Sequence, residues 1–207
     1  RYLLAGILLW ECYCLIAAIV MGLRGHSFRV RLSKAGILIP SEMAGVPAQV
    51  LSWISRKKLA VADRSGNLCS TKFLDAVCRQ LNVNGAMTQP ELFTASQKVV
   101  PGFPEGRSQT LLKFLVLHRG AVLLPGAPLY CIGPDAVKEC KSLLYLEGAA
   151  TQQEFSTLCT HFPLLSSLSI SKERLASAIL KSMSDRGEVK KVPLSETGET
   201  LYVVKNP

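Results

Sequence analysis

The chain has 207 residues, of which 48% are hydrophobic, and its formal net charge is +9. That length allows one large domain or two to three small ones, and a mean hydropathy of +0.25 is high for a freely soluble protein with a charged surface. The sequence lacks a phosphate-binding P-loop, a dinucleotide-binding glycine motif, a zinc-protease motif and a hydrolase nucleophile elbow, which argues against those enzyme classes.

Cysteine and histidine usage also argues against a metal or catalytic centre. Seven cysteines form an odd set without a C-x-x-C pair, so we expect reduced thiols in an intracellular compartment: nucleus, cytoplasm or mitochondrial matrix. Cys12 and Cys14 have only His26 as a nearby further ligand, which is too few for structural zinc. His26, His118 and His161 have no paired carboxylates at a useful spacing. We therefore expect a non-enzyme without metal or cofactor.

Residues 3–23 form an apolar run that predicts the first helix. Twenty-one such residues can span a bilayer, but Glu11 near the middle would be costly in lipid, and Trp10 and Tyr13 lie mid-span rather than at an interface. A helix that is apolar all round is either core or membrane-spanning. We predict burial by protein, either the core or a partner, with Glu11 hydrogen-bonded or paired. A membrane anchor through residues 3–23 is the alternative.

Residues 27–33 alternate between polar and apolar, which predicts a β-strand with Arg29 and Arg31 facing outward together. Two basic clusters on this part of the chain predict contact with phosphates, although cations at a helix C-terminus also complement its dipole. The residues predicted to contact phosphates are Arg24, Arg29, Arg31, Lys34, Arg56, Lys57, Lys58 and Arg64.

A helix followed by a hairpin recurs three times along the chain. The turn from helix to hairpin contains Lys58, Arg119 and Arg186, at spacings of 61 and 67 residues. A second match pairs residues 85–92 with residues 148–155. In each of these copies a Thr precedes a Glu by three residues, which predicts a helix capping box.

The order helix, short capped helix, longer helix and two-stranded hairpin resembles the tandem winged-helix proteins over most of the chain. The resemblance implies a mainly α protein with small β-wings, an α+β array of about three winged-helix-like units. We expect the units to cover residues 1–70, 71–133 and 134–207.

Charge is uneven among these units. Residues 1–70 hold nine Lys or Arg against three Asp or Glu, whereas residues 134–207 hold nine of each. The helix predicted over residues 108–119 is too apolar to read a DNA groove, so the second unit is expected either to contact protein or to be the central packing unit. Lys190 and Lys191 in the last hairpin complete the predicted phosphate contacts, with a solvated hairpin as the alternative.

These patterns predict a non-enzymatic structural subunit of a large complex that contains nucleic acid, such as a ribosome-type particle or the transcription machinery. The expected partners are the phosphate backbone of RNA or DNA and protein subunits of that assembly. The alternative is a scaffold or adaptor, built of winged-helix interaction modules, that binds only proteins and for which residues 3–23 are a candidate membrane anchor.

Overall fold

The computed structural model describes residues 2–159, 170–194 and 198–205, and the side chains of the first helix from Trp10 onward. His161, considered above as a catalytic candidate, lies outside these residues. The chain divides into two compact units, residues 1–74 and residues 75–207. The described residues are mainly helical with small antiparallel sheets, so the predicted fold class is confirmed.

One long helix and one three-stranded sheet form the first unit. In chain order its elements are α1 (Tyr2–Ala35), β1 (Ile37–Leu38), a 3₁₀ turn (Pro40–Met43), α2 (Ala48–Arg56), β2 (Ala60–Ala62) and β3 (Leu68–Ser70). The strand order is β1-β3-β2, and both pairs are antiparallel.

The strand predicted over residues 27–33 is wrong, because these residues belong to α1. Gly25, Phe28 and Leu32 are buried, at the three- and four-residue spacing of one helix face, whereas Val30 is exposed. Phe28 and Leu32 share a core with Val50 of α2. In the alternating run over residues 28–32, Phe28 and Leu32 are also four residues apart, as on one face of a helix. Packing of this pair against α2 selects the helix over the strand.

The second unit holds two further sheets of the same topology. Its elements are α3 (Thr71–Asn84, which begins in the first unit), β4 (Ala86–Thr88), α4 (Gln89–Val99), α5 (Ser108–Arg119), β5 (Val122–Leu124), β6 (Tyr130–Ile132), α6 (Pro134–Glu147), β7 (Ala149–Thr151), α7 (Gln152–Leu158), α8 (Lys172–Asp185), β8 (Val189–Pro193) and β9 (Thr200–Val204). The strand orders are β4-β6-β5 and β7-β9-β8, which match β1-β3-β2.

Both predicted capping boxes are confirmed. The backbone N–H of Thr88 donates to Glu91 Oε2 at 2.7 Å, and Glu91 N–H donates to Thr88 Oγ1 at 3.5 Å. Thr151 and Glu154 repeat the arrangement at 2.8 and 3.3 Å. The hydrogen bond from the threonine N–H lowers the pKa of each glutamate below its ordinary value.

A third copy of this strand-to-helix junction lies in the first unit, where β1 leads into the 3₁₀ turn. The sequence patterns did not reveal it. Gly36 precedes β1, Ile39 takes the place of the threonine, and Ile39 N–H donates to Glu42 Oε2 at 3.0 Å. Isoleucine has no side-chain acceptor, so only half of the box forms. Within the described residues the same order of elements therefore occurs three times: a helix, a strand, a short helix or 3₁₀ turn, a second helix and two antiparallel strands.

A single core joins both sheets of the second unit. Leu124 and Ile132 of the first sheet belong to the same buried cluster as Leu144 of α6 and Ile179 of α8. Arg174 of α8 also donates to the Pro125 carbonyl at 2.6 Å. The division into three winged-helix-like units at residues 1–70, 71–133 and 134–207 stays a prediction.

Candidate nucleic-acid interface

Two arginines of α1 line one cleft in the first unit. Arg24 and Arg31 are seven residues apart, about two helical turns, so their side chains project from the same side of α1. The cleft has a volume of about 320 Å³, and its other lining residues are Ser27, Phe28, Gly45, Val46, Pro47 and Val50. Both arginines are exposed, so their guanidinium groups are accessible to a ligand.

Arg31 is held in position by two contacts. Its Nη2 donates to the Glu42 carbonyl at 2.7 Å, and its guanidinium carbon lies 5.4 Å from the centre of the Phe28 ring. A guanidinium has five N–H donors, so the bond to Glu42 leaves donors for a further acceptor.

The N-terminal end of α2 contributes to the same cleft. Pro47 is its N-cap residue and makes no side-chain capping bond, and Pro47 and Val50 both line the cleft. The first turn of a helix carries partial positive charge and favours anions. Two arginines and two residues at the start of α2 therefore line one concave surface.

The expectation that Arg29 and Arg31 face outward together is wrong, since residues two apart on an α-helix point about 160° apart. Arg29 is exposed on the other side of the buried stripe, away from the cleft. Lys34, three residues after Arg31, projects within about 60° of it and can extend the same surface.

The second basic cluster lies at the opposite end of α2. Arg56, Lys57 and Lys58 are all exposed at its C-terminus, about 13 Å along the axis from the N-cap. Their charges complement the negative end of the helix dipole. Arg64 is exposed in the β2–β3 turn, which the Asp63 carboxylate organises by accepting the Ser65 and Asn67 N–H groups, each at 2.9 Å.

Lys190 and Lys191 belong to the second unit. Both are exposed on β8, an edge strand, and Lys191 Nζ lies 5.8 Å from the centre of the Tyr202 ring. Lysines on an edge strand also prevent pairing with another chain. The ten predicted residues are therefore distributed over several surfaces, and Arg24 and Arg31 are the pair that lines a shared cleft with a helix N-terminus.

The sequence reasoning missed the other residues of this cleft. Ser27 and Phe28 were assigned to a strand, and Gly45 to Pro47 carry no charge that would single them out. The helical spacing of Arg24, Ser27 and Arg31, at i, i+3 and i+7, was the signal that could have identified them.

Several other features bear on the function. Among the described residues no group of three or more His, Cys, Asp or Glu could hold a metal ion. Counting residues whose side chains are described, no helix is long and apolar enough to cross a membrane. No known protein family matches the chain, and no curated protein is detectably similar to it in sequence.

Proposed function

We propose that the chain is a non-enzymatic, winged-helix-type subunit of a large assembly, and that it contacts the phosphate backbone of RNA or DNA. The observation that carries the proposal is the cleft where Arg24 and Arg31 lie beside the N-terminal turn of α2. Guanidinium groups bind phosphate oxygens in a bidentate way. The excess of nine basic over three acidic residues in residues 1–70 adds attraction toward a polyanion.

Such contacts position a protein on nucleic acid and do not select a sequence, because they involve the backbone rather than the bases. Lys34 and the cluster Arg56, Lys57 and Lys58 can add further phosphate contacts around the cleft. Each contact releases counterions, so binding should weaken steeply as salt rises.

Protein docking is the second part of the proposal, and it concerns the apolar half of α1. Trp10, Tyr13, Ile16 and Leu23 are each more than 60% exposed, and Glu11 is exposed beside them. Burial by the chain's own core, one of the two alternatives for this segment, is therefore wrong for these four side chains, whereas Met21 packs against the core of the first unit. A contiguous apolar surface of this kind marks an interaction site, and we propose a protein subunit of the assembly as its partner.

The test compares Arg31→Glu with Arg29→Glu, which makes the same charge change on the same helix outside the cleft. Binding of labelled single-stranded RNA and duplex DNA is followed by anisotropy from 50 to 300 mM salt, and circular dichroism checks the fold. We expect Arg31→Glu to weaken binding about tenfold or more and to flatten the plot of log affinity against log salt. We expect a clearly smaller effect from Arg29→Glu.

Two results would contradict the phosphate-binding proposal: an affinity that does not change with ionic strength, or equal losses in the two variants. The exposed apolar surface of α1 favours a second candidate, a scaffold or adaptor that binds only proteins. Under that alternative the purified chain does not bind nucleic acid. The double variant Arg24→Glu with Arg31→Glu then assembles with its protein partners as the wild-type chain does.

A further inference from the structure

Two cysteine thiols lie together in the core of the second unit. Cys140 is in the middle of α6 and is 0% exposed, and Cys159 is the C-cap residue of α7 and is 2% exposed. Their side chains are hydrogen-bonded to each other, and both belong to the buried cluster that holds Phe155 and Ile179. Both thiols are free, so the structure shows the reduced form of this pair.

The fold itself does not require cysteine at these two places. The spacing of 63 residues that relates the two capping boxes puts Val77 and Ser96 at the corresponding positions of the second repeat, and both are also 0% exposed. Ser96 Oγ donates to the Leu92 carbonyl at 2.7 Å, as buried hydroxyls commonly do. Because the same fold accepts valine and serine here, the paired sulfurs are a property of the third repeat and not a demand of packing.

The hydrogen bond makes the two sulfurs chemically different. It raises the pKa of the Cys140 thiol and lowers the pKa of the Cys159 thiol, as expected when the Cys140 S–H group donates to the Cys159 sulfur. Burial opposes the change at Cys159, but the hydrogen bond outweighs it. Since the thiolate is the nucleophilic form of cysteine, Cys159 is the sulfur that reacts first, and Cys140 lies beside it as the second thiol.

Cys159 is also the sulfur that a small local opening would expose. It ends a helix of seven residues, and helix ends fray, so its last turn can open without unfolding α6. Only one sulfur of the pair has to meet an oxidant from solution, because the second thiol then reacts with the oxidised sulfur from its place beside it. The complete burial of Cys140 is therefore compatible with oxidation of the pair.

We propose that Cys140 and Cys159 are a redox pair, which a peroxide oxidises to a disulfide that joins α6 to the end of α7. The Cys159 sulfur attacks one peroxide oxygen, the O–O bond breaks, and the hydroxide that leaves takes up the proton released by Cys159. The Cys140 sulfur then attacks the sulfenic sulfur of Cys159, the S–O bond breaks, and a second water leaves with the Cys140 proton. The two thiols lose two electrons in total, and one peroxide is reduced to two waters.

The disulfide should stabilise the second unit. The two cysteines are 19 residues apart in the chain, and a cross-link that closes a loop of this length restricts the unfolded chain. We expect the oxidised chain to unfold at a temperature about 5–10 °C above that of the reduced chain. The pair goes beyond the proposed function, since it involves neither α1 nor the cleft of Arg24 and Arg31.

The experiment treats the full chain with hydrogen peroxide and maps its disulfides by mass spectrometry. Cys12 and Cys14 are exposed, so Cys12→Ser with Cys14→Ser is the background that prevents links between chains. We expect a linked pair of peptides that contains Cys140 and Cys159 and that dithiothreitol separates. Cys69→Ala, which removes a buried thiol of the first unit, is the matched control and should form the same link.

Two single variants in this background assign the roles of the sulfurs. In Cys140→Ala the second thiol is absent, so the sulfenic acid should persist at Cys159 and react with dimedone. In Cys159→Ala the remaining Cys140 thiol is buried and lacks its acceptor, so we expect dimedone labelling there to be about tenfold lower or less. Circular dichroism checks the fold of both variants.

Four results would overturn the proposal. These are a pair that stays reduced in peroxide, a link from Cys78 to Cys131 in preference to this one, a link that forms only in urea, and an oxidised chain that unfolds at a lower temperature than the reduced chain. Peptide mapping of the background chain decides the first three without any change in the core, so misfolding of Cys140→Ala or Cys159→Ala does not remove the test.

Discussion

Lys58 and Gly187 occupy the same position in the first and third repeats. Each has a left-handed backbone, with φ of 53° and 71°, and each lies two residues before the first strand of the hairpin. The next residue closes the helix in the same way: Leu59 N–H donates to the Ile54 carbonyl at 3.1 Å, and Glu188 N–H donates to the Met183 carbonyl at 2.9 Å. The alignment of Lys58 with Arg186 made from the sequence is therefore wrong by one residue.

Lys58→Gly should stabilise the first unit. A side chain in the left-handed region costs about 1–2 kcal/mol, whereas glycine returns part of that through the greater entropy of the unfolded chain. We expect the free energy of unfolding in urea to rise by about 0.5–1 kcal/mol. Lys58→Ala is the matched control, since it removes the same charge and keeps the strain.

The reciprocal change Gly187→Ala should destabilise by a similar amount. The nearest atom to an added Cβ is Lys205 Nζ at 3.9 Å, an ordinary contact, so the cost comes from the backbone and not from a clash. Equal stability of Lys58→Gly and Lys58→Ala would show that the left-handed conformation carries no strain.

The capping-box glutamates should make stability depend on acid pH. The Thr88 N–H lowers the pKa of Glu91 in the folded chain, so the folded state binds this proton less readily than the unfolded state. The contribution is complete above the ordinary glutamate pKa and is lost as pH falls through the folded pKa. Glu91→Gln preserves a capping acceptor but does not titrate.

Urea unfolding measured between about pH 6 and pH 3 checks this prediction. The loss of unfolding free energy with falling pH should be smaller in Glu91→Gln than in the wild-type chain. Parallel pH curves for the two proteins would contradict it, and a direct NMR titration of the Glu91 carboxyl group would locate the discrepancy.

Helix starts could be predicted from the sequence where a pair of residue types at a fixed spacing has one well-defined structural role. Thr88 with Glu91, and Thr151 with Glu154, predicted two helix starts because hydroxyl and carboxylate at that spacing satisfy the first N–H groups. The third copy could not be predicted, because Ile39 stands where the other two copies have threonine. Its backbone N–H donates to Glu42, as the threonine N–H groups donate to glutamate in the other copies. A backbone N–H is common to all residues except proline, so the sequence does not mark this bond.

The basic surface was predictable in composition but not in geometry. The charge excess of residues 1–70 points to the first unit, yet residues 27–33 satisfy both period-two and helical patterns. Only packing of Phe28 and Leu32 against α2 decides between them, and that decision moves Arg29 away from Arg31.

Two salt bridges of equal length in the second unit should differ in strength. Lys141 Nζ lies 2.7 Å from Glu188 Oε2, with side-chain exposures of 12% and 26%, and Arg119 Nη2 lies 2.7 Å from Asp75 Oδ1, with exposures of 23% and 49%. The less exposed pair is screened less by water. We expect Glu188→Gln to cost about 1–3 kcal/mol and Asp75→Asn less than about 1 kcal/mol.

Thermal and urea unfolding of the two variants supply the comparison. A cost for Asp75→Asn equal to or above that for Glu188→Gln would show that burial does not determine the strength of these pairs. The double variant Lys141→Met with Glu188→Gln separates the cost of an unpaired lysine from the strength of the pair itself.

The apolar half of α1 should control association and not folding. Ile16, Ile19 and Leu23 are exposed, so changing all three to glutamine removes little buried area, and we expect the free energy of unfolding to change by less than about 0.5 kcal/mol. The same change should keep the isolated chain monodisperse in sedimentation and abolish binding to the proposed protein partner. Leu32→Gln, on the buried face of the same helix, is the control and should unfold the first unit.

Alkaline carbonate extraction of cell membranes then distinguishes the two candidates that could cover this surface, a protein partner and lipid. A chain that a protein partner covers should be released into the supernatant, and a wild-type chain that stays in the membrane pellet would show that lipid covers residues 3–23 instead.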